Sequence, residues 1–325
     1  MAVVETVRGA VDVAELGRTY MHEHVFVLST EHVHNYGHGA WWDEEERVAE
    51  AVTALRGLVE DGVTTIVDPT VWGLGRYIPR IQRVAEQVPE LNIIVATGLY
   101  TYDKLPFQLD FRGPGTLLGG PDPMVEMFVR DLTEGIADTG VKAAFLKCCV
   151  EEPGLTPGVA RVLRAVAAAH RETGAPITVH TSASARTGRI ALQVFGEEGV
   201  DLSKVVIGHA GDSNDLDYLM ELADSGAILG MDRFGLDVYN PTDRRVATVA
   251  ALCERGYADR MVLSHDASCF IDWFGPDPGQ LRGAAPNWHY RHIGADVLPA
   301  LRDRGVTDAQ LEQMLVTTPR RYFTR

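Results

Sequence analysis

Short runs of consecutive apolar, β-branched residues recur along the chain and alternate with longer segments in which apolar residues have helical spacing. Because the short runs are apolar throughout, they predict strands that are buried on both faces, as in a parallel sheet covered by helices. Eight strands are predicted, at residues 19–24, 64–68, 92–97, 143–148, 177–180, 205–209, 227–231 and 261–266. Amphipathic helices are predicted between them, for example at residues 45–60, 123–138, 159–173 and 215–223.

Eight strand–helix units in 325 residues predict an α/β protein with a (β/α)8 TIM barrel. A doubly wound open sheet is the alternative, and it is disfavoured because no GxGxxG loop follows the first strand. No linker rich in Ser, Gly and Pro divides the chain, so residues 1–325 are expected to form a single domain with long loops between strands and helices. Two such loops are predicted, at residues 111–123 and at 267–290, and the second is expected either to pack onto the barrel or to cover a ligand.

Composition narrows the range of partners. The net charge of −15 argues against a nucleic-acid-binding protein, which needs clustered Lys and Arg. No apolar run approaches the roughly 20 residues that span a membrane, and the first residues lack the pattern of a signal peptide. The four cysteines form no CxxC pair and are expected to be reduced. We therefore expect a cytoplasmic enzyme with neither nucleic acid nor membrane as a partner.

Polar side chains stand at the ends of the predicted strands. They are His22 and His24 at the first strand, Lys147 at the fourth, His180 at the fifth, His209 at the sixth and Asp266 at the eighth. The carboxyl ends of barrel strands meet at one mouth, where barrel enzymes place their chemistry. His22 and His24 are separated by one residue, so in a strand both imidazoles point to the same face and Glu23 points away.

Each of these residues also has a simpler interpretation when taken alone. His180 and His209 would be ordinary buried histidines, and Asp266 would cap the next helix. A buried Lys147 is harder to explain, because an unpaired ammonium is costly to bury. Together, the strand-end residues predict a metal site. His32, His34 and His38 are expected in a surface loop, His265 is expected to be structural, and Asp68 is a candidate supporting residue.

These motifs resemble the binuclear amidohydrolases and, within them, the phosphotriesterase-like lactonases. The resemblance rests on MHEH at 21–24, Lys147, His180, GH at 208–209 and SHD at 264–266, and on longer blocks. Those blocks are VDPTVWGLGR at 67–76, ATGLYTY at 96–102, GMDRFGLD at 230–237 and PNW at 286–288. The resemblance covers nearly the whole chain.

The resemblance implies two divalent metal ions (zinc, cobalt, iron or manganese) that share a bridging hydroxide. His22, His24 and Asp266 would hold the buried ion, and His180 and His209 the exposed one. Lys147 would bridge both as an N6-carboxylysine, because an ammonium cannot ligate a cation whereas a carbamate can. The resemblance also implies a homodimer.

The implied reaction is metal-assisted hydrolysis, in which Asp266 handles the proton of the nucleophile. Tyr100 would line the pocket and help to stabilise the oxyanion. Arg233 matches an arginine beside the lactone site, although an ion pair with Asp232 or Asp237 explains it equally well.

The segment after the last strand carries large apolar residues, which either pack onto the barrel or contact a ligand. In the lactonases this segment forms a channel for an acyl chain. The predicted pocket residues are Tyr102, Tyr239, Phe270, Ile271, Trp273 and Trp288. We therefore predict a quorum-quenching lactonase for N-acyl homoserine lactones and related lactones, with weak phosphotriesterase (paraoxonase) and esterase side activities.

Three alternatives remain at this point. The first is a phosphotriesterase whose main substrates are organophosphates, since it would share the same ligands. The second is a Schiff-base lyase with Lys147 as nucleophile, which would leave the strand-end histidines without a role. The third is a metal-binding barrel without catalysis, which Asp266 argues against.

Overall fold

The computed structural model describes residues 2–37, 42–274 and 278–324. Its strands are β1 (Val3–Thr6), β2 (Gly9–Asp12), β3 (Thr19–Tyr20), β4 (His24–Val27), β5 (Thr65–Asp68), β6 (Asn92–Gly98), β7 (Phe145–Val150), β8 (Ile177–Thr181), β9 (Val205–Gly208), β10 (Ile228–Met231), β11 (Met261–Leu263) and β12 (Ser268–Ile271). Its α-helices are α1 (Thr30–Tyr36), α2 (Glu44–Glu60), α3 (Ile78–Gln87), α4 (Phe107–Asp110), α5 (Pro123–Thr133), α6 (Pro157–Thr173), α7 (Gly188–Glu197), α8 (Leu216–Asp224), α9 (Thr242–Glu254), α10 (Pro278–Ala284), α11 (Leu298–Asp303), α12 (Asp308–Glu312) and α13 (Thr318–Phe323).

Eight parallel strands form the central barrel, in the order β3-β5-β6-β7-β8-β9-β10-β11. The two ends of this sheet meet where the Met21 N–H donates to the Leu263 carbonyl oxygen at 3.4 Å. Inside the barrel, Ile94, Phe145 and Val206 belong to a buried cluster that is separate from the larger cluster facing the helices. The predicted (β/α)8 barrel is confirmed.

The helices begin and end where the sequence signals it. For α6, the Thr156 side chain accepts a hydrogen bond from the Val159 N–H, and Pro157 occupies the first turn, where its missing N–H costs nothing. Gly174 ends the same helix with a φ of 70°, a backbone conformation that glycine adopts without steric cost. Such local signals explain why the predicted helices lie within a few residues of the observed ones, except that α5 ends at Thr133 rather than at residue 138.

The first predicted strand differs from the structure. The chain forms β3, then bends over residues 21–23, and resumes as β4. His22 therefore lies in a bend and His24 at the start of β4, so the expectation that both share one strand is wrong. The last barrel strand is also shorter than predicted, because β11 ends at Leu263.

β4 leaves the barrel and pairs in parallel with β12, with Ser268 opposite His24 and Phe270 opposite Phe26. β12 lies within the segment 267–290, which was predicted to be a loop. This segment also contains a 3-10 turn at Asp272–Phe274 and helix α10, while residues 275–277 lie outside the described part. Among the residues that the structure describes, no helix is both long and apolar enough to cross a membrane.

Candidate metal centre

The six side chains predicted as metal ligands converge at the carboxyl end of the barrel. The Nε2 atoms of His22 and His24 lie 3.2 and 3.3 Å from Asp266 Oδ1. Lys147 Nζ lies 3.4 Å from His22 Nε2, and His209 Nε2 lies 2.8 Å from His180 Nδ1. The four imidazoles and Lys147 are buried, and Asp266 is only 14% exposed.

The backbone at this mouth adopts unusual conformations. His209, Arg233 and Asp266 have φ values of 64°, 64° and 53°, in the left-handed region that residues other than glycine seldom adopt. Each of them follows closely after a barrel strand, so the chain turns sharply there and directs these side chains into the mouth. Backbone strain of this kind is concentrated at functional sites.

Each of the four candidate ligand histidines uses one ring nitrogen, the one that points away from the centre, to contact a side-chain oxygen. Asp232 contacts Nδ1 of His22 at 3.1 Å and Nδ1 of His209 at 2.8 Å. Thr70 Oγ1 contacts His24 Nδ1 at 2.7 Å and donates its own proton to Asp68, so the imidazole must donate to it. For His180, the Glu151 carboxylate accepts from Nε2 at 2.8 Å.

These outer hydrogen bonds assign a tautomer to every ring and leave a lone pair on the nitrogen that faces inward. The lone pairs of His180 Nδ1 and His209 Nε2 face each other at 2.8 Å. Those of His22 and His24 face a carboxylate oxygen of Asp266. Acceptors that face acceptors repel one another, and a cation between them removes the repulsion. The donor set therefore fits metal ions, and His22, His24 and Asp266 form one group whose ligand atoms lie within 4.8 Å of one another.

The protonation states agree with this assignment. Burial lowers the pKa of His22 and His209, and it lowers the pKa of His180 to about 4, so all three imidazoles are neutral at pH 7. Burial also lowers the pKa of Lys147. Burial alone would raise the pKa of Asp266, but interactions with its neighbours, among them the hydrogen bond from the charged Arg233, outweigh burial and hold that pKa well below its usual value. Neutral imidazoles and an ionised carboxylate are the forms that bind metals.

Arg233 joins the centre to a second carboxylate. Its Nε donates to Asp266 Oδ2 at 3.0 Å and its Nη1 to Asp212 Oδ2 at 2.9 Å. The ion-pair partners are therefore Asp266 and Asp212, and the sequence-based alternative of Asp232 or Asp237 is wrong. Arg245, which is fully buried, donates to the other oxygen of Asp212 at 2.6 Å.

Tyr100 lies beside the histidines. Its hydroxyl is 3.3 Å from His180 Nδ1 and 2.8 Å from the Tyr102 hydroxyl. Burial raises the pKa of Tyr100 well above its usual value, so the group stays a neutral phenol that can donate a hydrogen bond.

A cavity of about 490 Å³ opens above the centre, within the range of small-molecule binding sites. Five of the six predicted pocket residues line it, namely Tyr102, Tyr239, Ile271, Trp273 and Trp288. Phe270 does not line it: its ring is 6% exposed and packs in the core 5.4 Å from the Trp42 ring. Because successive side chains of β12 point to opposite faces, Ile271 faces the cavity while Phe270 faces inward.

The structure describes three of the four other histidines considered in the sequence, and none of the three is among the candidate ligands. His32 and His34 are exposed as expected, but they belong to helix α1 rather than to a loop, and His38 lies outside the described residues. His265 is fully buried and contacts Glu23 Oε1 through Nδ1 at 2.6 Å, which agrees with a structural role.

Sequence reasoning missed three supporting residues, Asp232, Glu151 and Thr70. A signal was present for two of them, because Asp232 directly follows β10 and Glu151 directly follows β7. Both are polar residues at strand ends, the same feature that indicated the ligands. The sequence gives no comparable signal for Thr70. The Thr70 hydroxyl donates a 2.5 Å hydrogen bond to Asp68, which the sequence does predict as a supporting residue.

The whole chain was compared with known protein families, related proteins and solved structures. The model of the phosphotriesterase family matches residues 2–323. A phosphotriesterase homology protein of Mycobacterium tuberculosis (strain CDC 1551 / Oshkosh) is 59% identical over 326 residues, which cover 100% of this chain and 98% of the relative. An aryldialkylphosphatase of Saccharolobus solfataricus is 36% identical, and the match covers 98% of each chain.

The solved structure of the phosphotriesterase from Mycobacterium tuberculosis is 59% identical and has a TM-score of 0.96, covering 99% of this chain and 98% of that one. Proteins of this family use a binuclear metal site, in agreement with the donor set described above. The chain therefore belongs to the phosphotriesterase family of metal-dependent hydrolases.

Proposed function

We propose that the protein is a two-metal lactonase that opens N-acyl homoserine lactones and related lactones with apolar side chains. The observation that supports this best is the composition of the cavity. Its floor is the polar metal centre, whereas its walls include Leu236, Ile271, Phe274 and Trp288. A lactone with an acyl chain has the matching division into a polar ring and an apolar tail.

The ligand geometry supports two positions for metal ions. His22, His24 and Asp266 would hold one ion, and His180 and His209 the other. Lys147, as an N6-carboxylysine, would bind both. Burial lowers the pKa of Lys147, and this shift favours the uncharged amine, the form that adds to carbon dioxide with release of a proton. Nitrogen and oxygen donors of this kind accept zinc, cobalt, iron or manganese.

Two divalent ions bound here would lower the pKa of a water molecule and polarise the lactone carbonyl. The Asp266 carboxylate would accept the proton of the attacking water and return it to the ring oxygen when the acyl–oxygen bond breaks. Arg233 keeps Asp266 ionised and fixes its orientation through the 3.0 Å hydrogen bond. The Tyr100 phenol would donate to the developing oxyanion.

The apolar walls would bind the acyl chain. Each buried methylene contributes about 0.8 kcal/mol, which corresponds to roughly a fourfold rise in kcat/KM per methylene until the cavity is filled. The test is a series of lactones with acyl chains of increasing length on zinc- or cobalt-loaded protein. A flat profile would contradict the proposed binding mode.

Neighbouring residues of β12 provide matched variants for this test. Ile271→Ala should weaken the preference for long chains because Ile271 lines the cavity. Phe270→Leu should leave that preference unchanged, because its side chain packs in the core instead. Equal effects of both variants on chain preference would count against the cavity as the acyl site.

A phosphotriesterase with organophosphates as main substrates is the second candidate, and the relationship to an aryldialkylphosphatase favours it. The same metal-loaded protein should be assayed with paraoxon. The lactonase proposal fails if long-chain acyl homoserine lactones stay intact while paraoxon is hydrolysed rapidly. The lyase alternative is no longer needed, because the chain belongs to a hydrolase family.

A further inference from the structure

Asp232 contacts two ligand histidines at once. Its Oδ2 lies 3.1 Å from His22 Nδ1, and its Oδ1 lies 2.8 Å from His209 Nδ1. The backbone N–H of His209 also donates to this carboxylate, at 2.9 Å to Oδ1. Asp232 is 1% exposed, so water does not compete for these hydrogen bonds.

The outer ring nitrogens of the other two ligand histidines each have a separate hydrogen-bond partner, which we call an anchor. Thr70 contacts only His24 among the ligands, and Glu151 contacts only His180. In the metal positions proposed above, His22 and His24 serve one ion, whereas His180 and His209 serve the other. Within the described residues, Asp232 is therefore the anchor that reaches a ligand of each ion.

The surrounding backbone leaves room for this arrangement. A Cβ atom on Gly230 would lie 2.8 Å from Asp232 Oδ2 and 3.0 Å from the Gly208 Cα. A larger residue at position 230 would displace either the carboxylate or the neighbouring strand. Arg245 donates to the Asp232 carbonyl oxygen at 3.1 Å and holds the main chain from the other side.

From these contacts we propose that Asp232 is a positioning residue that couples the two metal positions, by holding His22 and His209 in the tautomers that present Nε2 to the ions. The proposal rests on the metal positions under Proposed function and is independent of the substrate. Loss of such an anchor behind a ligand histidine commonly weakens metal binding about 10- to 100-fold.

Asp232→Asn is the informative variant because asparagine has one acceptor where aspartate has two. The amide oxygen of the asparagine should turn toward His209, which supplies two donors, its backbone N–H and Nδ1. The NH2 group of the asparagine then faces His22 Nδ1. His22 would then have to carry its proton on Nε2 and lose the lone pair that binds metal. We expect metal affinity to fall about tenfold or more at the position of His22, and by a smaller factor at the position of His209, whose acceptor changes from a charged carboxylate oxygen to a neutral amide oxygen.

The experiment uses cadmium-113 as the probe ion, followed by NMR and by competition with a chelator. The wild-type protein should give two cadmium resonances. Thr70→Val should change one of them and Glu151→Leu the other, which assigns the two positions. Asp232→Asn should shift or broaden both and weaken both affinities. An effect on one resonance alone, or on neither, would overturn the coupling role, and a wild type that does not bind two ions would overturn the metal proposal as well.

A second measurement keeps the proposal testable if Asp232→Asn does not fold. In metal-free wild-type protein labelled with nitrogen-15 in histidine, His22 and His209 should already carry their protons on Nδ1. Protons on Nε2 of either ring would refute positioning by Asp232.

Discussion

Replacement of Glu23 by Gln tests how the turn that carries Asp266 is held in place. Glu23 is fully buried and accepts hydrogen bonds from His265 N at 2.9 Å, from His265 Nδ1 at 2.6 Å and from Ala267 N at 3.2 Å. These donors flank Asp266, whose φ of 53° is sterically unfavourable. The Glu23 carboxylate therefore stabilises a strained turn without contacting the reacting groups.

These contacts determine how much folding stability Glu23→Gln should lose. In Glu23→Gln, the amide oxygen can serve the two donors of His265, so its NH2 group faces the Ala267 N–H. One hydrogen bond is lost and one buried donor is left unsatisfied, at a cost of roughly 3 kcal/mol. With an unfolding entropy of about 2.1 cal/mol/K per residue, a chain of 325 residues should lose about 4 °C in Tm.

Thermal unfolding of the metal-free protein measures this loss, with the exposed Glu126 changed to Gln as the matched control. The visible spectrum of the cobalt-loaded protein should also differ between Glu23→Gln and wild type, since Asp266 is a proposed ligand. The reasoning is refuted if Glu23→Gln melts within about 1 °C of the control and gives the wild-type cobalt spectrum.

Four further outcomes are expected. Metal at about 1,000 times its Kd should stabilise the folded protein by ~4 kcal/mol, so removal of the metal by a chelator should lower Tm by about 6 °C. Equal Tm values with and without metal would contradict the metal site. Arg233→Met should lower kcat/KM at least tenfold because it removes the partner of Asp266, and Arg233→Lys should lie between it and wild type. Tyr100→Phe should lower kcat about 100-fold with little change in KM if the phenol stabilises the oxyanion, whereas a drop below threefold would exclude that role. Light scattering should show a homodimer that Leu117→Glu dissociates, because Leu117 is 83% exposed on an apolar loop; Val238→Glu, at an equally exposed residue of the cavity, is the control that should remain dimeric.

Most of the barrel was predictable because its strands are buried on both faces and read as unbroken apolar runs. The convergence of the candidate ligands was predictable for a related reason. A polar residue that ends such a run must lie at the mouth of the barrel, and His180 and His209 follow this rule, whereas Asp266 lies three residues beyond the end of β11.

The bend at residues 21–23 was not predictable from pattern. The sequence there contains neither glycine nor proline, and its polar residues His22, Glu23 and His24 predict the end of a strand rather than a bend followed by a second strand. β4 forms by pairing with β12, which lies more than 240 residues away in the chain. For the same reason, the faces of Phe270 and Ile271 could not be assigned. In a segment without periodicity, only the pairing with β4 decides which side chain meets the cavity.

The pairing of β4 with β12 has a consequence for any attempt to redesign this protein. β4 begins at the ligand His24, and β12 begins only two residues after Asp266 and ends at Ile271, on the wall of the cavity. Substitutions in residues 268–271 that are chosen to change substrate preference will also strain the ligand strand, so selectivity and metal retention cannot be optimised separately there. Residues beyond β12, such as Trp273 and Leu281, line the same cavity without belonging to the β4–β12 pair. They are the positions at which a library can vary the substrate while leaving the metals in place.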